Sequence, residues 1–156
     1  MAGRRTLTEL RPLQDDDLER LAAWLPRTTA ELGCQRWASE EALRDAAGRD
    51  GVLAVVEGEP VGFVAYEIGS PSPEAARIEL LAISPDRRRL GIGSRAVLAL
   101  EQRLARTSKQ IYVLVASELG LAFYFWLRLG YRPLTQREWP ASPQAGPAIW
   151  LVRPLT

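Results

Sequence analysis

The 156-residue chain contains no histidine. Histidine is the usual general base near neutral pH and the commonest metal ligand. Its absence excludes Ser-His-Asp and Cys-His catalysis and any histidine-based zinc site. The single cysteine, Cys34, excludes an internal disulfide and a multi-cysteine metal site, so no metal is expected. Cys34 is read as packing before it is read as an acyl-carrying nucleophile. One lysine, Lys109, stands against nineteen arginines. It lies in the polar stretch ARTSKQ, an exposed turn rather than a Schiff-base site. No apolar run approaches the ~18 residues of a membrane span. The opening MAGRRTLTEL has no apolar stretch behind its arginines and does not read as a secretory signal. A cytoplasmic protein, away from membranes, is expected.

What is present suits a single domain over residues 1–156, large enough to bury its own core. Hydrophobic residues make up 47% and charged residues 25%, the balance of a globular chain. The net charge of +1 hides an asymmetry. Residues 1–76 carry 8 basic and 14 acidic side chains, and residues 77–156 carry 12 and 5. The basic half favours an anionic ligand, or else holds scattered surface arginine. There is no long basic run and no zinc-finger spacing, so nucleic acid is not expected.

The periodicities predict mixed α/β structure with about seven strands. Thr6–Leu13 alternates as a first strand. Asp15-Asp16-Asp17 opens a helix that Pro26 should end, and Thr28 with Glu31 has capping-box spacing for a second helix. Ser39 should cap a third. Val52–Glu57 and Val61–Ile68 read as a hairpin. Arg77–Ile83 and Gln110–Ala116 read as central strands separated by a helix from about Gly93 to Arg106. An apolar helix, Leu119–Leu129, should stop at Gly130. Tyr131–Glu138 and Ala148–Arg153 are the last strand candidates. The early hairpin implies antiparallel pairing, and the later strand-helix-strand unit parallel pairing.

Chemistry concentrates in Ile83-Ser84-Pro85-Asp86-Arg87-Arg88-Arg89-Leu90-Gly91-Ile92-Gly93-Ser94. A buried strand feeds a basic, glycine-containing loop that opens a helix. Free amides at such a start point at an anion. Gly91 and Gly93 let the backbone approach phosphate oxygens, and Arg88 and Arg89 can add charge-assisted bonds. The same stretch could also be a turn with solvated arginines. Gly91-x-Gly93-x-x-Ala96 matches a relaxed dinucleotide fingerprint. However, a seven-residue polar loop separates strand from glycines, and too little chain follows Glu118 to complete such a domain.

The other ligand class is coenzyme A. Arg88-x-x-Gly91-x-Gly93, between a strand and a helix, is similar to the (Gln/Arg)-x-x-Gly-x-(Gly/Ala) motif of the GNAT superfamily of N-acyltransferases. Leu81-Ala82-Ile83-Ser84-Pro85 resembles that family's L-A-V-x-P. Ala122-x-x-Phe125-Trp126-Leu127-Arg128-Leu129-Gly130-Tyr131 resembles its A-x-x-F-Y-x-K-L-G-F. Motif similarity covers roughly residues 77–132, and the element order fits from Thr6 to Arg153.

The resemblance implies a mostly antiparallel sheet whose central parallel pair splays to admit acyl-CoA, with helices on both faces. It implies that the loop from Arg88 through Arg89, Leu90, Gly91, Ile92 and Gly93 to Ser94 binds the pyrophosphate. The backbone of Leu81, Ala82 and Ile83 would hold the pantetheine arm. Leu119 and Trp126 occupy the positions of a pantetheine-binding Asn and a thiolate-protonating Tyr; neither can do that work. A base often used on the following strand corresponds to Leu114. Glu79 remains the candidate general base, sharing a strand face with Leu81 and Ile83, with Tyr124 a weaker catalytic candidate. The implied reaction is acetyl transfer from acetyl-CoA to a small-molecule or peptide amine, by direct attack in a ternary complex. A non-catalytic acyl-CoA-binding regulatory protein of the same fold is the alternative. A homodimer is compatible with the family. The acceptor region is expected near the helices of residues 15–47, the hairpin tip and residues 139–147. There Glu31, Glu40, Glu41 and Glu67 could attract a cation or simply be solvated.

Overall fold

The computed structural model describes residues 7–32, 37, 39–88, 91–140 and 147–155. Cys34, Arg89 and Leu90 lie outside the described residues, as does most of the proline-rich segment after Trp139. The elements are β1 (Glu9–Pro12), α1 (Asp15–Ala22), α2 (Leu25–Glu31), α3 (Glu40–Ala46), β2 (Val52–Val56), β3 (Pro60–Ile68), β4 (Ala75–Ile83), α4 (Ile92–Leu104), β5 (Gln110–Ala116), α5 (Gly120–Arg128), β6 (Arg132–Pro133) and β7 (Ala148–Pro154). The strands form one sheet in the order β1-β2-β3-β4-β5-β7-β6. It is mostly antiparallel, and β4 and β5 are its parallel pair. This is the mixed architecture the periodicities predict. Among the described residues, no helix is long and apolar enough to cross a membrane.

The chain folds as two compact units. One runs from β1 through Ala65 and adds Leu80–Leu100; the other takes Tyr66–Glu79 and the chain from Glu101 onward. In the first, the acidic run opens α1 as expected, because the helix dipole favours negative charge there. Asp17 is buried, and both of its oxygens accept from Arg11 at 2.6 and 2.7 Å. It also takes the Gln14 amide at 2.9 Å. Burial pushes the Asp17 carboxyl up, but Arg11 and the Gln14 amide outweigh it and hold the group below the usual range.

Two expectations fail nearby. Pro26 does not end α1; it sits in the first turn of α2. Proline is tolerated there because its missing N–H would have no helical acceptor. Thr28 is therefore interior to α2, and it forms no capping box with Glu31. Ser39 caps α3 as predicted, accepting the Ala42 amide at 3.1 Å. Leu18, Leu21, Leu25 and Leu43 of the three helices pack against Ala54, Phe63, Leu80 and Ala82 of the sheet. Each large apolar side chain among them contributes about 1.5–3 kcal/mol by leaving water. A second cluster joins Ile92 and Ala96 of α4 to Val55 and Val61, with Leu81 and Ile83 against it.

In the second unit β5 pairs with β7 from Gln110↔Pro154 to Ala116↔Ala148. The expected strand Tyr131–Glu138 shrinks to β6. After it, Gln136–Glu138 forms a 3₁₀ turn in which the Glu138 carboxylate takes both the amide and hydroxyl of Thr135 at 3.1 Å. The first strand is also shorter than predicted, beginning at Glu9. Gly130 follows α5 with φ +93°, the left-handed conformation glycine adopts without strain.

Candidate active site

β4 ends at Ile83, and the Ser84 amide donates to the Val61 carbonyl at 2.8 Å. Pro85–Arg87 makes one 3₁₀ turn, and Arg88 leaves it extended. Gly91 then takes φ +77°, and its carbonyl accepts the Arg95 amide at 3.1 Å, the first bond of α4. Ile92, Gly93 and Ser94 thus form the first turn, where backbone amides have no helical acceptor. Thirteen residues of aligned peptide dipoles stand behind them. Ile92 is buried and anchors the turn, whereas Gly91 and Ser94 are exposed. The geometry suits an oxyanion at the head of α4.

The loop's arginines differ in what they touch. Arg87 reaches one oxygen of Glu59 at 2.5 Å, and Arg20 takes the other at 2.5 Å. Arg95 donates to Thr8 at 2.9 Å and to Glu57 at 3.1 Å. Arg88 meets neutral acceptors: its Nε donates to the Ile83 carbonyl at 3.3 Å and its Nη2 to the Thr28 hydroxyl at 3.2 Å. Among the described residues, no carboxylate compensates its charge at short range, and the same side chain braces α2 against the end of β4. The sequence leaves Arg88 to a phosphate or to solvent. The bond to Thr28, sixty residues away, has no signature in the chain.

Of the strand residues, Ala82 is buried while Leu81 and Ile83 are half-buried. Beside them Gly62 is obligatory. A Cβ there would come within 2.7 Å of the Ile83 side chain and 2.8 Å of the Ala82 carbonyl. Glu79, in the second unit, is half-buried. The parallel ladder of β4 with β5 covers Ala75↔Gln110 to Ile78↔Val113 and stops one residue before it.

Leu119 is the residue that precedes α5, and it is half-buried. Trp126 is 6% exposed, with ring centroids 5.1 Å from Phe125 and 4.9 Å from Tyr131. Tyr124 is 58% exposed, with the Arg128 guanidinium 5.8 Å from its ring. Two residues on a helix are about 200° apart, and Tyr124 accordingly faces water while Trp126 faces inward. Glu40 is paired with Arg44 at 3.0 Å and Glu67 with Arg77 at 3.3 Å, so both acidic side chains have local cations.

One buried polar group escaped sequence reasoning. Glu101 on α4 accepts from the Tyr131 hydroxyl at 3.3 Å and pairs with Arg153 at 3.2 Å. Arg153 also donates to the Leu129 carbonyl at the end of α5. Burial pushes the Glu101 carboxyl up, against the pull of Arg153 and Tyr131. Burial, with the charge of Glu101, pushes the Tyr131 phenol far up. Tyr131 thus keeps its proton and serves to fix α5. The available signal was Glu101 itself, a carboxylate one residue after Leu100 and four after Val97 on the apolar stripe of α4. Among the described residues, no group of three His, Cys, Asp or Glu side chains could hold a metal.

The acetyltransferase (GNAT) family model matches residues 8–131. No curated protein matches the chain significantly. Solved structures share the fold. An acetyltransferase from Thermus thermophilus is 23% identical, with a TM-score of 0.77 over 96% of this chain and 98% of that one. N-acetylglutamate synthase from Neisseria gonorrhoeae, solved with coenzyme A and N-acetyl-glutamate, is 21% identical with a TM-score of 0.74, over 96% of this chain and 35% of that one. The ribosomal-protein-S18-alanine N-acetyltransferase of Escherichia coli is 19% identical with a TM-score of 0.65, over 96% and 95%.

Proposed function

Because the chain belongs to the GNAT family of acetyltransferases, we propose that it transfers an acetyl group from acetyl-CoA to an amine. The observation that carries this reading is the head of α4, where Gly91 at φ +77° leads straight into the first turn of a thirteen-residue helix. The amides of Ile92, Gly93 and Ser94 would hold the diphosphate, and Arg88 would add charge from the side. The backbone of Leu81–Ile83 would align the pantetheine amides as an added strand does. Acyl-CoA supplies a thioester carbonyl open to attack by a neutral amine. Glu79, directly or through water, would take the proton the amine must lose. Trp126 can donate one N–H but is no ordinary acid, so thiolate departure relies on water or on the proton released by the amine. Holding both reactants in place can by itself supply several kcal/mol of the barrier reduction. The reaction therefore survives a sparse acid–base set.

A second reading has one observation in its favour. Leu119 and Trp126 stand at the positions where the family resemblance implies Asn and Tyr, as they would in a protein that binds acyl-CoA without turning it over. One assay separates the two. Acetyl-CoA is incubated with a panel of amines, and free thiol is followed. Amine-dependent thiol release supports the enzyme; tight acetyl-CoA binding with no release across the panel refutes it in favour of the binder.

A further inference from the structure

Arg77 on β4 and Tyr112 on β5 are register partners in the parallel ladder and so stand side by side. The Arg77 side chain is 29% exposed, and a guanidinium offers five donors. Among the described residues, one of these is used, from Nη2 to Glu67 at 3.3 Å. The Nε is buried without an acceptor. Leaving a buried donor unpaired is costly, and the single partner is an exposed carboxylate whose attraction water screens. Tyr112 is oriented by Gln110, whose amide donates to the phenol oxygen at 3.1 Å, and by the edge of Trp150 at 6.1 Å. In the bond from Gln110 the phenol oxygen is the acceptor, which leaves its O–H to donate. Buried and half-buried residues alternate along β4, which puts Arg77 and Glu79 on one strand face. At the usual rise they are about 7 Å apart.

We propose that Arg77 and Tyr112 form a carboxylate subsite for the acceptor, which is therefore an amine that also carries a carboxylate. The guanidinium takes the carboxylate, the Tyr112 hydroxyl adds a second donor, and the amine lies toward Glu79. Glu67 is the internal stand-in that the acceptor's carboxylate displaces. This inference rests on the acyl-transfer reading above, and the two can fail separately.

The test uses the full chain and the variants Arg77→Gln, Arg77→Lys and Glu67→Gln, each first checked for thermal stability and for acetyl-CoA binding by calorimetry. Thiol release is then measured with glycine, β-alanine and γ-aminobutyrate, each against its neutral amide. The parent should prefer the acids in kcat/KM by about tenfold or more, the scale of one charge-assisted hydrogen bond. Arg77→Gln should erase that preference by raising KM for the acids while leaving the amides and acetyl-CoA binding unchanged. Arg77→Lys should restore part of it, as a point charge without the fork. Glu67→Gln should lower KM for the acids. A purely structural Arg77–Glu67 pair predicts instead that Arg77→Gln and Glu67→Gln both lower stability and leave selectivity alone. That result overturns the subsite, as does a parent that prefers the amides or binds acetyl-CoA but accepts none of the acids. A parent that fails to bind acetyl-CoA overturns the acyl-transfer reading itself.

Discussion

Replacing Gly91 by valine tests the anion site where it is most constrained. Gly91 sits at φ +77°, and the nearest atom to a Cβ built there is Arg95 Nη1 at 3.0 Å. That atom ends a flexible side chain and can move, so the steric cost to the fold is small. The conformational cost is larger: a left-handed L-residue costs roughly 1–2 kcal/mol, and β-branching adds to it. Valine relieves this by returning to negative φ, which swings the peptide that leads into Ile92. Charge-assisted bonds are worth about 1.5–3 kcal/mol each. Losing one or two from the first turn should weaken CoA by about 3 kcal/mol, or roughly a hundredfold. Calorimetry with CoA reads the affinity, and a melting curve shows that the variant is folded, a few degrees below the parent. Gly91→Ala, with one carbon and the same φ demand, should fall between. A folded Gly91→Val that binds CoA within a factor of two of the parent refutes the cradle at the head of α4.

Three further outcomes are expected. Arg88→Ala and Thr28→Val should couple in a double-mutant cycle of stability by about 1 kcal/mol, the net worth of a hydrogen bond; additive effects would show that Arg88 does not brace α2. Asp17→Asn should cost about 2–3 kcal/mol near pH 7, because it removes the charge that Arg11 and the Gln14 amide hold. Since the folded carboxyl lies below its ordinary value of 3.8, its contribution is in place above that value and fades as pH falls through the lower folded one. Urea titrations from pH 6 downward should therefore show a steeper acid loss in the parent than in Asp17→Asn, and parallel curves would contradict this. Glu79→Gln should lower amine-dependent turnover by about 10²–10⁴-fold with CoA affinity unchanged, while Trp126→Phe should do little; a Glu79→Gln rate equal to the parent's at every pH would assign Glu79 to structure.

The elements legible in the chain are those whose local chemistry and packing agree. Ser39 caps α3, Gly130 stops α5, and the acidic run opens α1, because each device acts within a few residues of itself. Strands β4 and β5 were legible as apolar runs. Pro26 was misread because the same ring that ends one helix is tolerated at the start of the next, and only the short Ala23-Trp24 break decides between them. The strand expected over 131–138 stops early because only Arg132 and Pro133 of that stretch pair in register with β7, followed by one bond from the Leu134 amide to the Trp150 carbonyl, and Glu138 serves Thr135 instead. In the site, the glycine turn was legible because φ +77° is a demand on one residue type. The roles of the arginines were not, since each depends on a contact made across dozens of residues. The acidic first half and basic second half of the chain are consistent with an anionic ligand or with scattered surface arginine. In the fold, Glu57 and Glu59 of the acidic half lie against Arg95 and Arg87 of the basic half and neutralise them. What remains at the head of α4, among the described residues, is a narrower device: one arginine without a short-range carboxylate beside a turn of backbone amides. Affinity for an anion there should depend more on Gly91 and the amides behind it than on the number of arginines in the loop.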